Sequence, residues 1–230
     1  MPDTPLIRTR DALKTPRSAA VAGIIFAVLY GSSLILLSLF VLPYISDTTW
    51  LETNAAPVSL ALNLIPFAGI AFLWFIGVLR DLLADQEDRL FSTVFLGSGL
   101  LFLAMTFIGA ALVAGLLNAH TIGLGTLSDS VYTYSRSVIY QVINIYAIRM
   151  AGVFMISLAT IWIRTGVMHR VWAILTYLLA LVLLVSISYS LWVTLIFPGW
   201  VMVVSLHILI RNLHRQPPAG GAEGKDTASG

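Results

Sequence analysis

The sequence predicts an all-α polytopic transmembrane bundle of six spans, with both termini cytoplasmic. Three observations predict it. Apolar runs long enough to cross a bilayer recur along the chain, and a crossing helix needs about 20 such residues. Only 10% of residues are charged against 58% hydrophobic, and mean hydropathy is +0.91, outside the range of soluble domains. The Lys and Arg residues cluster in alternate connections, the bias that orients membrane proteins.

The first span is expected over 19–42, after a basic segment 1–18 whose opening 15 residues are expected to be disordered. Pro16 and Ser18 precede it and Pro43 closes it. Its apolar run exceeds the 7–15 residues of a signal-peptide core, so it reads as an uncleaved span. The second, 57–79, carries Asn63 and Pro66. The third, 90–117, is long and contains four glycines, which predicts tilt or curvature. The fourth, 138–163, is the most polar. The apolar stretch 171–210 is too long for one crossing, since a single helix would run about 60 Å against a core of about 30 Å. Two spans are expected, 171–189 and 192–210, reversing near Ser188–Trp192. The tail, 214–230, lacks an apolar run and is expected to be disordered.

Orientation follows from the cations. Arg8, Arg10, Lys14, Arg17, Arg80, Arg89, Arg164, Arg170, Arg211, Arg215 and Lys225 fall on one side. The opposite connections hold only Arg136. This bias places the termini inside. A basic balance beside a bilayer reads as topology and attraction to anionic lipid, not nucleic-acid binding.

Arg149 is the sharpest candidate functional residue. It falls near the middle of 138–163, and a cation at mid-bilayer costs at least roughly 2.5–3.5 kcal/mol. No Asp or Glu lies in any expected span, so its partner is a carbonyl, a neutral side chain, water or an anionic ligand. Gln141, eight residues earlier, is assigned to the same face, and Tyr140 and Asn144 form an i, i+4 pair. With Asn63, Ser186, Ser188 and Tyr189 these residues define an expected polar cavity open to the outside; interhelical hydrogen bonding is the equal alternative.

Small residues recur every four positions at Ala19, Gly23, Ala27 and Gly31, and again at Ala111 and Gly115. Such ladders let helices approach closely, within the chain or in a homo-oligomer. The loop from Arg80 to Arg89 holds Asp81, Asp85, Glu87 and Asp88, which read as a solvated face before a metal site. Cysteine is absent, so disulfides and thiolate sites are excluded. No catalytic or phosphate-binding motif occurs, and neither cofactor nor metal is expected.

The layout resembles a family of small bacterial six-span membrane proteins of unknown function. The resemblance rests on Val21-Ala-Gly-Ile-Ile25, overall length, and the loop Arg164-Thr-Gly-Val-Met-His-Arg170 leading into Val171-Trp172. Met168-His169 stands where that family often has Leu-Pro. It implies no activity and no catalytic residue; the fold reading is a six-span bundle in a bacterial-type plasma membrane. Three functions follow from the residues. The first is a non-enzymatic protein binding or conducting a small or lipidic anion, with Arg149 as counter-ion. The second is an interaction protein assembling through the small-residue faces. A membrane enzyme ranks last, for want of paired acids or a nucleophile–base set.

Overall fold

The computed structural model describes residues 6–41, 49–83, 89–121, 128–166, 170–185 and 191–214, and every element among them is helical. In order these are α1 (Leu6–Phe40), α2 (Thr49–Thr53), α3 (Ala55–Leu83), α4 (Arg89–Thr121), α5 (Asp129–Tyr140), a π-helical segment (Gln141–Ala147), α6 (Ile148–Thr165), α7 (Arg170–Val185) and α8 (Leu191–His214). Five stretches are long and apolar enough to cross a membrane: Ser18–Phe40, Ala55–Arg80, Ser92–Thr121, Asp129–Thr165 and Trp192–Ile210. Arg170–Val185 is a shorter apolar helix. The chain is therefore a multi-pass membrane helix bundle.

Several boundaries differ from the sequence reading. α1 begins at Leu6 and runs through Pro16, so the basic segment continues into the first span as helix. The fourth stretch begins at Asp129, nine residues before Val138, because hydropathy marks only the apolar part of a helix that continues beyond it. The apolar stretch 171–210 is two helices, one ending at Val185 and the next beginning at Leu191. The expected turn near Ser188–Trp192 falls mostly on residues 186–190, which, with Ser186, Ser188 and Tyr189, lie outside the described residues, as do 84–88 and the tail after His214. α6 stops where Gly166 takes the left-handed conformation, φ +65°, which an L side chain resists.

Neighbouring helices run antiparallel. Gly23 and Phe26 of α1 meet Phe75 and Phe72 of α3, while Ser33 Oγ donates to the Ala61 carbonyl at 2.8 Å. The same residues of α1 meet Ser205 and Phe197 of α8. Gly99 of α4 faces Ile76 of α3 and Phe154 of α6. Thr160 of α6 hydrogen-bonds Tyr177 of α7 at 2.7 Å, and Trp200 of α8 donates to Thr176 of α7 at 3.0 Å. The beginning of α1 and the end of α8 consequently lie at one end of the bundle, together with Arg80, Arg164 and Arg170.

The bundle centre is filled by aromatic rings. Phe72 lies between 4.6 and 6.2 Å, centroid to centroid, from Phe26, Phe75, Phe102, Phe154 and Phe197. Lipid is as apolar as these side chains, so shape rather than hydrophobicity holds helices together in a bilayer. Interlocked rings from α1, α3, α4, α6 and α8 supply that shape. Hydroxyls within the helices are largely satisfied by their own backbone, as where Thr106, Ser157 and Thr176 donate to the carbonyl four residues back.

The ladder Ala19, Gly23, Ala27, Gly31 is buried inside the bundle. A Cβ at Gly23 would collide with Ser205 Oγ and lie 2.9 Å from Phe75, whereas one at Gly31 would meet nothing. Gly23→Ala is expected to cost about 1–3 kcal/mol of stability by overpacking, and Gly31→Ala to be near neutral. Thermal unfolding in detergent distinguishes them, and equal melting temperatures would refute this packing account. Ala111 and Gly115 face outward on α4.

Candidate functional site: a cavity at the far end of the bundle

At the end opposite Arg80, Arg164 and Arg170, a second and smaller core caps the bundle. Trp50 and Leu51 of α2 pack with Val58 of α3, Val113, Leu116 and Leu117 of α4, and Tyr132 of α5. Trp50 Nε1 donates to the Tyr132 hydroxyl at 2.9 Å, a buried bond between elements 82 residues apart. Asn54 Nδ2 donates to the Phe40 carbonyl at 3.0 Å, satisfying one of the acceptors left open at the end of α1. His120 approaches Glu52 at 3.6 Å, but the Glu52 side chain is 69% exposed and such a pair contributes little.

Beneath this cap lies a cavity of about 440 Å³. That is within the range of small-molecule sites. Its inner wall is apolar: Leu34 and Leu37 of α1, Val41 just after it, Val113 and Leu116 of α4, and Ile143 of the π segment. Its polar side comes mainly from α5 and the π segment, with Arg136, Tyr140, Gln141 and Asn144, joined by Thr194 of α8. Further in, a void of about 10 Å³ shares Ile143 and Thr194 with the cavity and ends on Tyr30, Phe102 and Phe197. The aromatic centre therefore closes the cavity toward the other end of the bundle.

The π segment sets which residues reach this space. A π turn widens a helix by one residue, and such segments concentrate at functional sites. Here seven residues, Gln141–Ala147, interrupt an otherwise continuous α-helix from Asp129 to Thr165. Ile143 lies against Gly109 of α4, where a Cβ would collide with it. A bulkier residue at 109 would push the π segment off α4. With Ile143 seated there, Gln141 and Asn144 lie along the cavity.

Of the residues singled out from sequence, Tyr140, Gln141 and Asn144 line this cavity. Asn63 does not; it is exposed on the outer face of α3. Arg149 does not line it either. Its Nε donates to the Leu184 carbonyl at 3.4 Å, in the last turn of α7. Carbonyls there lack intrahelical partners, and a cation beside them also meets the negative end of the helix dipole. Arg149 is half-buried and acts on the end of a neighbouring helix. The same Arg lies near the middle of the continuous helix Asp129–Thr165.

The cation that does line the cavity is Arg136, half-buried on α5. Sequence reasoning named it only as the exception to the charge bias, and that exception was the available signal. Trp50, Tyr132 and Thr194 carried none, because their placement depends on how α2 and α8 fold against α5. Among the described residues no group of three or more His, Asp or Glu converges as a metal site would require. No family model matches the chain, and no curated protein or solved structure matches it.

Proposed function

We propose that this protein is a six-span plasma-membrane protein of bacterial type, with both termini cytoplasmic, that binds a small or lipidic anion in the capped cavity. The observation that carries the reading is Arg136 on the wall of a 440 Å³ cavity whose other polar lining groups, among the described residues, are neutral. Tyr140, Gln141, Asn144 and Thr194 can orient a ligand through hydrogen bonds, and Arg136 supplies the charge and a planar fork of donors. Binding is favoured over conduction because the cavity ends on Phe102 and Phe197. Arg136 replaces Arg149 as the counter-ion. Saturable anion binding by the purified protein in lipid nanodiscs, lost when Arg136 is neutralised, is the expected result. Binding indifferent to Arg136 would overturn the reading.

The six-span topology is supported by the antiparallel order of the helices and by the Lys/Arg bias. α7 is short for a span, at roughly 24 Å, and reaches the level of Arg149, which meets its end. A Cys introduced at Ser128 should react with an impermeant maleimide in intact cells, and one at Ala84 should not. The reverse pattern would invert the orientation and place the cavity on the cytoplasmic side. Assembly through a helix face is a second reading, favoured by Ala111 and Gly115 lying outward on α4. Membership of the bacterial six-span family that the loop after Arg164 resembles is part of the same proposal.

A further inference from the structure

We infer that the π segment is a register switch: when it relaxes to an α-helix, α5 turns by one residue against α6 and Ser137 takes the place of Arg136 on the cavity wall. The turn itself is a property of the fold, and its effect on a ligand rests on the anion-binding reading above. Three observations carry it.

The first is the residue pattern of the wall. The π segment, Gln141–Ala147, takes up one residue more than α turns of the same length. At unchanged chain length, a return to the α repeat gives that residue back to the helix and turns one flank against the other by about 100°. Each residue of α5 then stands where its predecessor stood. Thr133, Ser137 and Gln141 replace Tyr132, Arg136 and Tyr140. All six line the cavity, in two adjacent rows. Arg136 moves to the place of Ser135, which does not line it. Every exchange sets one polar side chain in place of another, so both registers give a hydrogen-bonding wall.

The second is unequal anchoring of the two flanks. Among the described residues, α6 buries ten side chains, Phe154 of the aromatic centre with them, whereas α5 buries only Tyr132. The flank that turns is therefore α5. The Tyr132 hydroxyl accepts from Trp50 Nε1 at 2.9 Å, which ties α5 to α2 in the present register. Thr133 in that place lacks the ring that carries the hydroxyl to the indole, so the turn breaks this bond.

The third is the seat of the π segment. π turns are rare, so one that persists needs support from its surroundings. Here Ile143 fits against Gly109 of α4. A Cβ at 109 would collide with Ile143 Cγ1, an atom one bond from the Ile143 Cβ on a side chain that is stiff at χ1. Val142 Cγ1 would lie 3.8 Å from the same point. A larger residue at 109 thus lifts the segment from α4 and removes the support for the π turn. The Gly109 seat and the Trp50 bond together hold the present register, and an anion bound at Arg136 would add to them.

The test uses the full chain in lipid nanodiscs. The chain has no cysteine, so spin labels go only where a Cys is introduced. Tyr134 of α5 is paired with Leu60 of α3 and, separately, with Ile108 of α4; all three are exposed. A 100° turn carries a side chain 5–6 Å from the helix axis by about 8 Å. The wild type should show one main distance in each pair. Gly109→Ala should add a second population, displaced by several Å in at least one pair. Trp50→Phe, which keeps a ring and loses the donor, should add the same population, and carries the test alone should Gly109→Ala not assemble. Gly115→Ala, on the same helix where a Cβ meets nothing, should keep the wild-type distances. Saturating dodecanoate should return Gly109→Ala to the wild-type distance. Its affinity for that variant should fall in proportion to the shifted fraction, twofold where half the molecules have turned. Unmoved distances in both Gly109→Ala and Trp50→Phe would overturn the switch, and so would an equal shift in Gly115→Ala. If the second population appears and dodecanoate neither binds nor restores the first, the switch stands and the anion reading falls. If dodecanoate binds through Arg136 and the distances never move, the anion reading stands and the switch falls.

Discussion

Arg136→Gln is expected to lower affinity for an anionic ligand by at least tenfold, while Arg149→Met leaves it within about twofold. A charge-assisted hydrogen bond contributes about 1.5–3 kcal/mol, and each 1.4 kcal/mol is a factor of ten. Arg136 lines the cavity, so its neutralisation removes that contribution at the site. Arg149 is bonded instead to the Leu184 carbonyl at 3.4 Å. Its replacement by Met leaves a carbonyl at the end of α7 without its donor and removes a cation from the helix terminus. The long distance argues for a modest loss, about 1 kcal/mol of stability. The two substitutions should thus separate: one in ligand titration, the other in thermal unfolding. The opposite result, with Arg149→Met abolishing binding, would return the counter-ion to Arg149 and remove the cavity from consideration.

Phe72→Ala should be the most destabilising single change in the centre of the bundle. Phe72 is fully buried and its ring meets five others. In water-soluble cores such truncations cost about 3–5 kcal/mol. In a membrane the exposed alternative is also apolar, so much of the transfer contribution disappears and the lost packing remains. A cost of about 2 kcal/mol is expected. Phe67 on the same helix is 62% exposed and faces outward, so Phe67→Ala should change the melting temperature little. Equal effects of the two would mean that the ring cluster does not hold the bundle together.

The bundle itself was legible in the sequence because hydropathy and helix length are local properties. The division of residues 171–210 into two helices followed from one comparison of length with bilayer thickness, and α7 and α8 are separate. The site was legible only in part. Tyr140, Gln141 and Asn144 announced themselves as polar residues in an apolar helix. Arg149 did so more strongly, yet its partner is a carbonyl 35 residues away on α7, which no local pattern encodes. Arg136 looked like a loop residue because the helix carrying it is too polar for a hydropathy window, although α5 continues the fourth apolar helix without a break. Asn63 had the right composition and the wrong face. Trp50 and Tyr132 meet only because the short helix α2 folds back over the ends of α1 and α4.

The seven-residue π segment gives the backbone control over what the cavity displays. A chain one residue shorter between Gln141 and Ala147 would regain the α repeat, and because the i→i+5 turn is what absorbs the extra residue, α5 and α6 would keep nearly the same relative rotation. The residue lost would come from the π segment itself, which supplies Gln141, Ile143 and Asn144 to the cavity wall. A single-codon deletion there would therefore alter the wall at the π segment and leave Arg136 on α5 and the ring contacts of α6 in place. Length variation within α6 would instead disturb the aromatic centre.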